Sequence, residues 1–169
     1  MSTILSVDDD AVNQAVIEIL LQSHGYIVEQ AMDGLEALDW LEKNPLPDLV
    51  LLDVMMPNLS GYEVCERIRN EYSMQLPVIM ISAKVSTDDI IAGLACLSND
   101  YVTKPFEKDE LLARIDSHVK LNHMMSKQRA PVDSDQIRKQ VNTLYREVLE
   151  IENANELAYL EIRRKSHKS

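Results

Sequence analysis

Long apolar runs, cysteine and, over most of its length, positive charge are what this chain has least of. No stretch approaches the roughly 20 consecutive apolar residues of a membrane span, and the start Met1-Ser2-Thr3-Ile4-Leu5 lacks the basic residues and small-residue cleavage site of a secretion signal. No helical membrane span is expected, and the expected location is the cytoplasm. Cys65 and Cys96 are too few for a disulfide framework and have no Cys or His companions at zinc spacing, so each reads as a small buried apolar residue in a reducing compartment. Residues 1–125 hold 8 basic side chains against 21 acidic ones, a net of −13. Phosphate contacts demand a positive face, so no direct nucleic-acid binding is expected of this part.

What the chain does have is enough apolar residue, 46% of 169, for one domain with a real core and a short appendage. The appendage differs in charge: residues 126–169 carry 7 acidic and 9 basic side chains, a net of +2. Through the first 120 residues, short β-branched apolar runs alternate with segments of helical period, the βα repeat of a parallel sheet. Strands are predicted over 3–7, 26–29, 49–52, 78–81 and 101–103, each nearly apolar on both faces as in a sheet covered by helices on two sides. Asp33 with Glu36, and Ser60 with Glu63, have the spacing of capping boxes that start helices. Further helices are expected over 11–23, 87–96 and 108–123.

In an open parallel sheet the ligand site forms at the carboxyl ends of the strands. Here those ends carry Asp8-Asp9-Asp10, Asp53, Ser82-Ala83 and Lys104-Pro105-Phe106. Two charges about 4 Å apart repel by about 4 kcal/mol at an effective dielectric near 20. If strands one and three are neighbours, Asp8, Asp9 and Asp53 form a cluster that structure alone does not justify. A divalent cation relieves it, and hard carboxylate oxygens with water suit magnesium, which shares its shell with phosphate. Asp10 is better read as the cap of the next helix. Asp53 is not a cap, because Val54-Met55-Met56-Pro57 does not start a helix and Ser60 already serves; it reads as a nucleophile able to form an acyl phosphate. Lys104 and Ser82 would hold the phosphoryl oxygens, with Pro105 restricting the Lys104 backbone.

Four ordered motifs, Val7-Asp8-Asp9-Asp10 with Asn13, Asp53-Val54-Met55-Met56-Pro57 with Gly61, Ser82-Ala83, and Asp100-Tyr101-Val102-Thr103-Lys104-Pro105-Phe106, make residues 3–123 resemble the receiver domains of bacterial response regulators in two-component systems. The resemblance implies a doubly wound, flavodoxin-like α/β fold with five parallel strands in the order 2-1-3-4-5. It implies that Asp8, Asp9 and the backbone carbonyl of Met55 join Asp53 in binding Mg2+, and that Asp53 is the phosphorylation site. Ser82 and Lys104 would contact the phosphoryl group, with Ser82 and Tyr101 as the switch pair that carries the change to the face around the fourth helix, strand five and the last receiver helix. The donor would be a sensor histidine kinase or phosphotransfer protein. The chain would then be no enzyme beyond its own phosphorylation and dephosphorylation.

Two departures stand out. Many members have Gly-Ala where this chain has Leu97-Ser98, so a reshaped loop before strand five is expected; and Met55 and Lys84, with no group to orient water and a shielding charge, imply slow self-dephosphorylation.

Domain boundaries are placed at 1–125 for the receiver, 126–133 for a linker interrupted by Ala130-Pro131, and 134–169 for a helical extension. In that extension Val141, Val148, Asn155 and Ile162 fall at a positions and Ile137, Leu144, Ile151 and Ala158 at d, predicting a parallel coiled-coil homodimer through 137–162. The alternative is a helix docked on its own domain, favoured by the off-seam Leu149, Leu157 and Leu160. His118, His123 and His167 lack the context of phosphotransfer histidines. Two rivals stay open: a haloacid dehalogenase type phosphatase, which needs an acid where Met55 stands, and a docking adaptor that is never phosphorylated. Residues 126–169 are too short for a DNA-binding output domain, so output passes through a partner effector or a further domain beyond this chain.

Overall fold

The computed structural model describes residues 1–72, 75–83 and 95–128. Within them five strands, β1 (Thr3–Val7), β2 (Ile27–Ala31), β3 (Leu49–Asp53), β4 (Val78–Ser82) and β5 (Asp100–Thr103), pair in parallel in the order β2-β1-β3-β4-β5. Four helices accompany them: α1 (Ala11–Ser23), α2 (Gly34–Lys43), α3 (Gly61–Tyr72) and α4 (Lys108–Gln128). This is the doubly wound α/β sheet that the βα alternation implied.

Side chains on a strand point alternately to its two faces, and both faces of this sheet are covered. Leu5, Val7, Val50, Leu52, Val78 and Met80 join Ala37, Leu41, Val64 and Ile68 of α2 and α3 in one core layer. Ile4, Leu49, Leu51, Ile79 and Ile81 join Ile17, Leu20 and Leu21 of α1 and Leu111, Ile115 and Val119 of α4 in the other. The expectation that every strand is apolar on both sides holds only for the inner β1, β3 and β4. At the edges, β2 exposes Ile27 and leaves Glu29 and Gln30 half-buried, because no neighbouring strand covers that side.

Local signals set the helix starts. Asp10 caps α1 by accepting from the Val12 amide at 2.7 Å. Asp33 accepts from the Glu36 amide at 2.8 Å, while the Glu36 carboxylate reaches back to the Met32 amide, one residue earlier than an ideal box. At α3 the exchange is mutual: Ser60 N–H and hydroxyl both donate to Glu63 Oε2, at 2.9 and 2.7 Å, and the Glu63 amide donates back to Ser60 Oγ at 3.4 Å.

Three boundaries differ from expectation. Strand two starts at Ile27 and runs to Ala31, since the Tyr26 amide still donates to Leu21 at the end of α1. The last helix continues past residue 123 to Gln128, three residues into the stretch read as a linker. The helix expected over 87–96 falls almost wholly outside the described residues, as do Lys84 and the proposed coiled coil at 137–162. At the Leu97 departure the chain adopts φ 58°, the left-handed region that glycine favours and a leucine enters at about 1–2 kcal/mol. The leucine side chain stays exposed, and Arg69 Nε fixes its carbonyl at 2.7 Å.

Candidate functional site

Register brings the chemistry to one rim. Val7 pairs with Leu52, Asp53 with Ile81 and Ser82 with Thr103, so Asp8, Asp53, Ser82 and Lys104 all lie at the carboxyl ends of adjacent strands. The Lys104 ammonium bridges the two acids, 2.7 Å from Asp53 Oδ1 and 2.8 Å from Asp8 Oδ2. Asp53 is only 6% exposed and Asp8 7%. Asp8 also accepts from the Asp10 amide at 2.9 Å and from Asn13 Nδ2 at 3.2 and 3.1 Å, and Asp53 Oδ2 accepts from the Met55 amide at 2.9 Å. The Lys104 amide donates to the Ser82 carbonyl at 2.7 Å, locking β5's exit to β4, and the Lys104–Pro105 bond is cis.

Burial is the largest influence on the Asp53 carboxyl and raises its pKa; the bond and charge of Lys104 oppose the rise without cancelling it, and the charge of Asp8 adds to it. Burial pulls the Lys104 ammonium the other way, but its bonds to Asp53 and Asp8 outweigh that and hold it firmly protonated. The site is thus a buried carboxyl whose charge is disfavoured by burial and partly compensated by one bridging cation.

Not every expected member joins. Asp9 is exposed, and among the described residues no three His, Cys, Asp or Glu side chains gather closely enough to hold a metal ion. The expected three-acid cluster is therefore a pair in this structure. The reason is local: the Asp10 amide turns back onto Asp8 and the Asp10 side chain caps α1, which leaves Asp9 facing solvent. Ser82 is fully buried, and Tyr101 packs at the edge of the core layer formed with α2 and α3.

Three supports take their roles from the structure: Asn13 and Gly61, which the motifs include without a stated role, and Gln14, which they do not include. The Asn13 bonds to Asp8 come from the first turn of α1, where an Asn five residues past an acid gives a weak hint. Gln14 is buried, and its Nε2 donates to the carbonyls of Ser6, Asp8 and Ala31 at 3.0, 3.2 and 2.9 Å, tying the ends of β1 and β2 to α1. Gly61 gives a place without a side chain: an added Cβ would lie 2.3 Å from the Asp53 carbonyl and 2.9 Å from Val54 Cα. Beside the acid pair opens a cleft of about 540 Å³, walled by Val16, Ile17 and Leu20 of α1, Ile81, and Pro105 and Phe106 after β5.

A family model described as the response regulator receiver domain matches residues 4–116. The chain belongs to that family. Response regulator MprA of Mycobacterium sp. (strain KMS) is 46% identical to this receiver over 112 residues, covering 66% of this chain and 48% of the relative. The match therefore spans about half the length of such curated relatives. Among solved structures, the Francisella response regulator 1452 receiver domain is 36% identical at a TM-score of 0.66, covering 71% of this chain and 98% of that one. Response regulator protein TrrA from Thermotoga maritima, in complex with Mg(2+)-BeF, is 32% identical at a TM-score of 0.63, covering 70% of this chain and 99% of that one. The receiver is thus a component of two-component signalling.

Proposed function

We propose that this receiver takes a phosphoryl group onto Asp53 from the phosphohistidine of a sensor histidine kinase or a phosphotransfer protein, in a Mg2+-dependent reaction. The observation that carries the reading is the buried Asp53–Lys104–Asp8 bridge at the mouth of an open cleft. A carboxylate oxygen of Asp53 attacks phosphorus, the donor's P–N bond breaks, and an acyl phosphate forms as the imidazole leaves. The donor set fits magnesium: Asp8 and Asp53 offer hard oxygens beside open space, with Asp9 and the Met55 carbonyl adjacent in the chain. When bound there, the ion neutralises charge on the moving phosphoryl group. A close relative of this fold in complex with Mg(2+)-BeF supports that choice.

Lys104 offsets part of what burial costs the Asp53 carboxylate and, once the group has moved, pairs with a phosphoryl oxygen. Ser82 follows the new phosphoryl and Tyr101 turns in behind it, biasing the face formed by the segment before β5, β5 and α4. Output passes to an effector protein or a further domain, with dimerisation through 137–162 and action in the cytoplasm; among the described residues no helix is long and apolar enough to cross a membrane. Met55, half-exposed beside the acceptor, offers no group that orients attacking water, so the acyl phosphate decays slowly. A phosphatase reading lacks its general acid at that same position.

Incubation with acetyl phosphate and MgCl2, read by intact mass, tests this. Wild type gains one phosphoryl group, Asp53→Ala gains none, and chelation of the metal stops the reaction. Phosphorylation of Asp53→Ala, or a wild type that stays unmodified with every donor, overturns the reading.

A further inference from the structure

The chain's two cysteines are neighbours in the core. Cys65 lies on α3 and Cys96 just before the loop into β5, 31 residues later; they are 0% and 3% exposed. The Cys65 thiol donates to the Cys96 carbonyl with Sγ 3.2 Å from the oxygen, and the two side chains interact. Cys96 Sγ also lies 3.8 Å from Met80 Sδ. One turn along α3, Arg69 binds the carbonyl of Leu97 at 2.7 Å, which sets a guanidinium beside the pair.

This arrangement makes the two sulfurs unequal. Cys65 beside it draws the Cys96 thiol down, against the opposing effect of burial and with help from the Arg69 charge. Cys65 is pushed up, by Cys96 beside it and by burial. The two cysteines share one place in the core, with a guanidinium next to it.

We propose that Cys65 and Cys96 are a covalent redox site, closing to an intramolecular disulfide when the chain meets a peroxide. The Cys96 thiolate attacks one peroxide oxygen, the O–O bond breaks, and a sulfenic acid forms with release of hydroxide. The Cys65 sulfur then attacks the Cys96 sulfur, the S–O bond breaks, and water leaves with the thiol proton. Two electrons pass from the two thiols to one peroxide, which becomes two waters. Both sulfurs are buried, so the first step waits on local opening and is slow beside that of a surface thiol. The bond fastens α3 to the segment that carries Leu97, Asn99 and Tyr101, and so restrains the face next to β5 by a route that does not pass through Asp53.

The test uses the full chain, reduced, then treated with hydrogen peroxide and read by intact mass and peptide mapping without reductant. The expected product is a monomer lighter by two hydrogens, with the Cys65 and Cys96 peptides joined, restored by dithiothreitol and unfolding at higher urea than the reduced form. Cys65→Ser and Cys96→Ala each fail to give it. Wild type that keeps both thiols at peroxide doses that oxidise the urea-unfolded chain overturns the proposal. So does a product that is only a disulfide between chains or only a sulfinic or sulfonic acid, and so does an intrachain disulfide that lowers the unfolding midpoint.

Discussion

In two places the receiver sets one cation between two carboxylates. At the rim of the sheet, Lys104 bridges Asp8 and Asp53, and all three are largely buried. On α4, Arg114 grips both oxygens of Asp100 at 2.9 and 2.8 Å and reaches Glu110 at 2.8 Å, with the guanidinium and Glu110 open to water. The charge sum is the same, yet the carboxyls respond in opposite directions. Burial opposes ionisation at both, but at Asp100 the bond from Arg114, with the Tyr101 amide and His118 assisting, prevails and lowers the pKa. At Asp53 burial prevails. A single ammonium shared by two carboxylates in a partly dry site leaves the cost of burial uncompensated, whereas a forked guanidinium in water satisfies its partner.

Lys104→Met tests the buried side most severely. Two buried carboxylates would face each other without a cation, and unfolding by urea at pH 7 should show a loss of about 3–5 kcal/mol. Much of it should return as pH falls and Asp53, whose folded pKa lies above its unfolded one, takes up a proton. A loss below about 1 kcal/mol would mean that the two clusters are equally solvated, and the contrast would break. Asp53→Asn goes the other way: it removes the charge that burial disfavours while Lys104 keeps Asp8, and should raise the stability by about 1 kcal/mol in the same assay while abolishing the acceptor.

Asp100→Asn probes the exposed side and has the smallest effect, under about 1 kcal/mol at neutral pH. Its folded pKa is lowered, so the wild-type advantage is present above the unfolded carboxylate value of about 4 and disappears as pH falls below it through the folded value. Urea midpoints of the two proteins should therefore converge in acid. An advantage that persists at the lowest pH would assign Asp100 a packing role instead.

Much of this was legible in the order of residue types. The inner strands announce themselves because a strand covered on both faces has little room for polar residues; Asp8 follows such a run and Asp53 ends one, whereas Lys104 follows the edge strand β5. The edge strand β2 was misplaced because Tyr26 looks like strand but its amide still belongs to the turn after α1. The fate of three consecutive aspartates was half visible: Asp10 reads as a cap, but only the backbone turn decides that Asp8 points inward and Asp9 outward. Gln14 gives no signal at all, since a glutamine on an amphipathic helix resembles a surface residue until the three carbonyls beneath it are seen. A leucine likewise carries no mark of the left-handed backbone found at Leu97, nor two distant cysteines of their meeting in the core.

Gly61 sets a limit on how this receiver can vary. The carbonyl of the acceptor residue itself occupies the space where a first side-chain carbon would go, so the smallest possible enlargement displaces Asp53 rather than a neighbour with freedom to yield. A library randomised at residue 61 and selected for phosphoryl uptake should return a single surviving residue. The same library at Gly25, where the turn has open space around it, should tolerate asparagine, which makes residue 61 a gauge of how rigidly the acceptor is mounted.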